Sequence, residues 1–120
     1  MTTVLVVEDE PLIAFALEAE LEDAGYSVLI APNGRQALEL LARGPRPDLV
    51  LTDMMMPVMS GPEMLATIAA DPDLSVIPVI VLSSLPEAAV RARVGGVAAI
   101  LRKPCTAQRL LATVAQVLGA

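Results

Sequence analysis

Apolar residues along this chain alternate between short runs and longer stretches in which they return every three or four positions. The runs are Val4–Val7, Ser27–Ala31, Leu49–Leu51, Val79–Leu82 and Ala98–Arg102. Short apolar runs with little internal polarity read as strands buried on both faces, the habit of a parallel sheet. The stretches between them read as helices. Pro11 opens the first, as suits a first helical turn. Leu12, Ile13, Ala16, Leu17 and Leu21 form its expected inward face, with Phe15 and Ala24 near the edge. Glu18, Glu20, Glu22 and Asp23 take the outer side, and Gly25 ends it.

The later helices carry clearer punctuation. Asn33 is placed to cap a helix with Ala37, Leu38 and Leu41 inward, and Gly44-Pro45-Arg46-Pro47 breaks it. Ser60 and Glu63 have capping-box spacing ahead of a helix from Pro62 to Ala70, which buries Met64, Leu65 and Ile68 and stops at Asp71-Pro72-Asp73. Pro86 to Arg93 is a weaker, Ala-rich helix ended by Gly95-Gly96. Thr106 caps a final helix carrying Leu110, Leu111, Val114 and Leu118. Strand and helix alternate five times with short connections. That rhythm predicts one α/β domain over residues 1–120, a three-layer sandwich around a parallel five-stranded sheet.

Composition narrows what such a sheet can do. The chain has 120 residues, 55% of them apolar, so a full core is available. Phe15 and Tyr26 are the only aromatics, and the core must be aliphatic. A net charge of -6 argues against general binding to nucleic acid. The charge is uneven. Residues 1–85 hold 13 acids and 3 Arg, while residues 86–120 set Glu87 against Arg91, Arg93, Arg102, Lys103 and Arg109. This is either a solvated surface or a basic docking face. No histidine is present, which removes His-based triads and His metal ligands. The single Cys105 allows no internal disulfide and fits a reducing compartment. With no signal peptide and no run long enough to span a bilayer, a cytoplasmic protein without membrane contact is expected.

The strand ends carry polar groups that their apolar bodies do not explain. Glu8 and Asp9 follow the first strand, Asp53 the third, Ser83 the fourth and Lys103 the fifth. In a parallel sheet these ends share one edge, where open α/β sheets bind ligands. Taken singly, each has a plainer role: acids before Pro11 favour a helix start, Asp53 can begin a turn, Ser83 and Lys103 can be ordinary edge and surface residues. Taken together they are a site. Clustered carboxylates repel, and a hard divalent cation relieves this; Mg2+ takes one or two carboxylates and keeps open positions for water and phosphate. Lys103, the only lysine, is a compact charge suited to a phosphoryl group or its acceptor. The implied chemistry is phosphoryl transfer onto the carboxylate of Asp53.

The same residues resemble the response-regulator receiver domain of two-component signalling, over essentially the whole chain. Glu8-Asp9 is similar to the family's acidic pair, and Asp53-Met54-Met55-Met56-Pro57-Val58-Met59-Ser60-Gly61 to its Asp-x-x-Met-Pro-x-Met-x-Gly signature. Ser83 matches the Ser/Thr position, and Lys103-Pro104 the Lys-Pro pair. The resemblance implies a flavodoxin-like (βα)5 fold with strand order 2-1-3-4-5. It implies that Asp53 takes a phosphoryl group from a phosphohistidine of a histidine kinase or phosphotransfer protein. It implies Mg2+ held by Asp9, Asp53 and the Met55 backbone carbonyl, with Glu8 close by through water. Lys103 would pair with Asp53 and then with the phosphoryl group, Ser83 would move onto a phosphoryl oxygen, and the Lys103-Pro104 bond would be cis.

Three positions depart from the pattern. Ile100 stands where the family's switch aromatic is usual, Ser84 where a small Ala is common, and Cys105 where Phe is frequent. Phosphorylation is expected to survive and the output to be unusual. Met55 and Leu85 flank the acceptor with apolar side chains, so slow self-hydrolysis is expected. The output surface is expected on the fourth helix, fifth strand and fifth helix, where Arg91, Arg93, Arg102 and Arg109 fall, facing an effector protein or a second copy. Met1 suggests a natural start, and a receiver with no output domain of its own is the first expectation. Three other readings stay open: a receiver-like module that no longer switches, the receiver portion of a longer response regulator or hybrid kinase, and an aspartyl-phosphate phosphohydrolase. The last lacks an acid at position 55 and an obvious general acid. A turnover enzyme is therefore not expected.

Overall fold

The apolar runs pair into one parallel sheet in the computed structural model, which describes residues 2–119. The strands are β1 (Thr3–Val7), β2 (Ser27–Ala31), β3 (Leu49–Thr52), β4 (Val79–Ser83) and β5 (Ala99–Arg102). They lie in the order β2-β1-β3-β4-β5, all neighbours parallel. The helices are α1 (Pro11–Asp23), α2 (Gly34–Arg43), α3 (Gly61–Ala70), α4 (Glu87–Arg91) and α5 (Ala107–Val117). No helix among the described residues is long and apolar enough to cross a membrane.

Alternation along the strands builds the three layers. Leu5, Val7, Val50, Val79 and Val81 point to one face, where they pack with Ala37 and Leu41 of α2, Met64, Leu65 and Ile68 of α3 and Val90 of α4. Val4, Val6, Leu49, Leu51, Ile80 and Leu82 point to the other, against Leu17 and Leu21 of α1 and Leu110 and Val114 of α5. Successive side chains of a strand point to opposite faces, so each central strand fills two cores at once. Full burial of each large aliphatic side chain contributes roughly 1.5–3 kcal/mol, which is why the runs tolerate so little polarity.

The caps form as the spacing predicts. The Asn33 side chain accepts from Gln36 N–H at 2.9 Å. Ser60 and Glu63 make a reciprocal capping box at α3. Thr106 accepts from Arg109 N–H at 3.1 Å. Gly25 takes a φ of +97° just past the end of α1, the left-handed conformation glycine adopts freely.

Two expectations change. Leu17 and Leu21 are buried on α1 as expected, but Ala14 completes the stripe in place of Leu12, Ile13 and Ala16, which are exposed. Leu12 is 82% exposed, Phe15 61% and Ile13 37%. Apolar residues crowd both sides of the first two turns, so periodicity alone does not choose a stripe; contact with the sheet does. The fourth helix is also shorter than Pro86–Arg93. It runs from Glu87 to Arg91 and buries Val90 alone. One buried residue per turn and a half is little anchorage, and Ala92 and Arg93 leave the helix as a turn.

Candidate functional site

Parallel pairing brings the carboxyl ends of β1, β3, β4 and β5 to one edge. Asp53 leaves β3 with its N–H still donating to Val7 O at 3.0 Å, which carries the β1–β3 pairing one residue past the strand. Its carboxylate is held at both oxygens. Met54 N–H donates to Oδ1 at 2.7 Å, and Lys103 Nζ donates to Oδ2 at 3.3 Å. Its backbone oxygen accepts from Thr52 Oγ1 at 2.9 Å. The direction of the Asp53 carboxylate is therefore set by the chain's own groups.

Glu8, Asp9 and Asp53 each offer a carboxylate oxygen within 4.8 Å of the others. Glu8 leaves β1 with its N–H on Ala31 O, and its side chain is buried. Its Oε1 accepts from Lys103 Nζ at 3.1 Å and its Oε2 from Glu10 N–H at 3.2 Å. Burial pushes the Glu8 carboxyl above its ordinary value, against the lowering pull of Glu10 N–H and Lys103. Burial also works against the charge of Lys103, but the hydrogen bond to Glu8 and the field of Asp53 outweigh it, and the ammonium is held above its ordinary value. Asp9 is half-buried, and its carboxylate takes no hydrogen bond among the described residues. Three carboxylates against one ammonium leave an excess of negative charge and a free oxygen donor. That donor set fits a hard divalent cation.

Ser83 reaches the same edge but does not join the cluster. It is buried at the end of β4, and its Oγ accepts from Leu85 N–H at 3.0 Å. Lys103 N–H donates to Ser83 O at 2.8 Å, so backbone pairing of β4 and β5 continues up to the lysine. The Lys103–Pro104 peptide bond is cis. Ile100 is half-buried against the α2–α3–α4 core. Arg91, Arg93, Arg102 and Arg109 are all exposed, and Arg91 is paired with Glu87 at 3.0 Å.

The loop after Asp53 splits its three methionines. Met54 is core at 1% exposure, Met56 is half-buried, and Met55 is 66% exposed. Gly61 closes this loop, its N–H donating to Met54 O at 2.9 Å. A side chain there would collide with the backbone of Asp53 itself, since an added Cβ would stand 2.6 Å from Asp53 O. Beside the site, Leu12, Ile13, Leu17, Leu82, Pro104 and Leu110 are among the residues around an open, mostly apolar recess of 590 Å3. Its polar border includes Ser84 and Lys103. Neither the Lys103–Glu8 bond nor this recess was legible in the sequence. The first joins residues 95 positions apart, and the second depends on which side of α1 meets the sheet.

Known proteins share this fold. Residues 4–115 match the family model for the response regulator receiver domain. The chain is similar to the polar-differentiation response regulator DivK of Brucella anthropi, at 35% identity over 98% of this chain and 96% of DivK. It is 38% identical to part of the sensor histidine kinase TmoS of Ectopseudomonas mendocina, over 97% of this chain, and spans 12% of that protein's length. Among solved structures, the receiver domain of a sensor histidine kinase from Pseudomonas aeruginosa PAO1, with magnesium coordinated in its active-site cleft, superposes with a TM-score of 0.91. That pair shares 28% identity and covers 99% of this chain and 98% of the other. The matched span takes in every strand end that builds the acid cluster, and the chain belongs to the response regulator receiver domain family, the signalling modules of two-component systems.

Proposed function

We propose that this receiver takes a phosphoryl group from the phosphohistidine of a histidine kinase or phosphotransfer protein onto Asp53. The observation that carries the reading is the acceptor's double restraint, Met54 N–H on one oxygen and Lys103 on the other, beside two further acids. An Asp53 oxygen bonds to phosphorus as the phosphorus–nitrogen bond breaks, and the imidazole leaves with the nitrogen's electron pair. Asp9, Asp53 and the Met55 backbone carbonyl would hold Mg2+, with Glu8 close by through water. When bound, Mg2+ offsets the negative charge that phosphoryl oxygens bring to an acidic cluster. Lys103 stands within reach to pair with the transferred group, and Ser83, whose Oγ accepts from Leu85 N–H, would move to donate its O–H to a phosphoryl oxygen.

The exposed first turn of α1 and the apolar recess beside it support a protein donor rather than a soluble metabolite. The output is read through the α4-β5-α5 face by an effector protein or a second copy. The exposed arginines there favour an acidic partner surface. Ile100 supplies bulk without a ring, so any movement on that face is aliphatic repacking. The reaction is one transfer on and one hydrolysis off, not turnover.

The test is mass spectrometry after incubation with Mg2+ and acetyl phosphate. A gain of one phosphoryl group, absent in Asp53→Asn, is expected. Amide shifts of residues 86–105 should move in the labelled form. Labelling without such movement would favour a receiver that no longer switches, and no labelling would sink the acceptor role.

A further inference from the structure

Thr52 ends β3 with a hydroxyl where its surroundings favour a methyl. It is 1% exposed and pairs across the sheet with Val7 of β1 and Val81 of β4, two residues on from Val50 on the same core face. A buried hydroxyl costs stability unless it is hydrogen-bonded. Thr52 Oγ1 donates to Asp53 O at 2.9 Å. That oxygen has left the sheet ladder. Asp53 N–H still pairs with Val7 O, but no backbone N–H among the described residues donates to Asp53 O. Asp53 O and Met54 N–H are the two ends of one planar trans peptide, and they point in opposite directions. The far end, Met54 N–H, donates to Asp53 Oδ1 at 2.7 Å. A hydroxyl at one end of this plane thus bears on the carboxylate at the other. Gly61 packs against the same plane, since a Cβ there would stand 2.6 Å from Asp53 O and 3.0 Å from Met54 Cα. With no ladder bond on its oxygen, the plane takes its tilt from Thr52 and Gly61.

We infer that Thr52 is a positioning residue for phosphoryl transfer: its hydroxyl fixes the Asp53–Met54 peptide plane, and through Met54 N–H that plane fixes the Asp53 carboxylate. This rests on the reading of Asp53 as acceptor. Thr52 is buried on the core face and acts only through its neighbour. Transfer needs reacting atoms aligned within about 3–3.5 Å of each other, so a carboxylate free to swing loses rate even where its charge and its partners are intact. Lys103 restrains the other oxygen at 3.3 Å from the end of a flexible stem, and cannot set the rotation of the carboxylate alone. Valine at position 52 would suit the core equally well. Threonine adds a donor for a backbone oxygen that the sheet leaves free. Hydrogen bonds in series also polarise one another, which strengthens Met54 N–H as a donor to Oδ1.

The experiment compares variants of the intact chain with and without the hydroxyl. Thr52→Val removes it and keeps the branched side chain; Thr52→Ser keeps it and drops the methyl. One readout is the rate of Asp53 labelling by acetyl phosphate with Mg2+, followed by mass spectrometry. The other is the Met54 amide proton in the NMR spectrum of the metal-free protein, which a charge-assisted hydrogen bond to a carboxylate moves downfield. Thr52→Val should label about ten-fold more slowly, the loss expected when one hydrogen bond's restraint is removed, and its Met54 proton should move upfield. Thr52→Ser should stay near the wild type in both. Where Thr52→Val does not fold, Thr52→Ala is the hydroxyl-free chain read by the same measurements. A hydroxyl-free variant that labels at the wild-type rate overturns the inference. So does Thr52→Ser as slow as Thr52→Val, which would assign Thr52 to packing through its methyl. Slow labelling with an unmoved Met54 proton overturns the route through the peptide plane. If acetyl phosphate fails to label the wild type, the acceptor reading falls instead, and the Met54 proton still reads whether Thr52 holds the plane.

Discussion

Lys103 Nζ stands 3.1 Å from Glu8 Oε1, closer than its 3.3 Å to Asp53 Oδ2, and Glu8 is the one charged residue in the buried set among the described residues. The lysine is thus a structural counter-ion to Glu8 as well as a neighbour of Asp53. Its side chain is 24% exposed and that of Glu8 2%, so the pair sits at the boundary between core and water.

Removing one partner of such a pair leaves the other buried and uncompensated. Lys103→Met should lower the unfolding free energy by about 2 kcal/mol, at the modest end because the ammonium is partly wet. The double variant with Glu8→Gln should recover roughly half of that, since the stranded charge is gone. Urea denaturation in a metal-free buffer reads both. A neutral Lys103→Met would mean that water already satisfies Glu8.

Asp9 carries the free carboxylate of the cluster, so its charge adds repulsion without a protein partner. Without metal, Asp9→Asn should therefore melt above the wild type, by an amount corresponding to about 1 kcal/mol. Mg2+ should reverse the order. At a hundred-fold excess over its dissociation constant, a ligand stabilises the state that binds it by about 2.7 kcal/mol, a gain the variant should largely lack. Thermal shift with and without Mg2+ measures it. A wild type indifferent to Mg2+ would remove the metal from the site.

Gly61 and Asp53 are bound together by space. With a Cβ on Gly61 at 2.6 Å from Asp53 O and 3.0 Å from Met54 Cα, both fixed backbone atoms, Gly61→Ala must displace the chain that presents Asp53. A cost of roughly 1–3 kcal/mol is expected, with slower labelling of Asp53 by acetyl phosphate. The elements α3 and β3 should remain, as circular dichroism would show. Unchanged stability and unchanged labelling together would show that the loop relaxes freely.

Much of this molecule is legible in its sequence. Three central runs with almost no polar residue could only be strands covered on both faces, and the helices carried their own caps at Asn33, Ser60 and Thr106. The polar groups at Glu8, Asp9, Asp53, Ser83 and Lys103 stood out because each interrupts or ends an apolar segment. Parallel pairing then makes their common edge a consequence of topology. Less legible was the length of α4, where small residues give the periodicity little to report.

The chain's order of apolar and polar residues was thus enough to determine the layers, the sheet and the edge where chemistry collects, because burial of aliphatic surface is the largest favourable term and it is written locally. Tertiary structure decided what is written nowhere locally. It set Ala14 beside the expected Leu17 and Leu21 on the stripe of α1 that meets the sheet, and so left Leu12 exposed at the recess beside the site and Phe15 exposed. It turned the Ser83 hydroxyl to Leu85 N–H, and gave Lys103 two carboxylates instead of one. Each of these depends on distances between residues far apart in the chain, which a one-dimensional pattern does not contain.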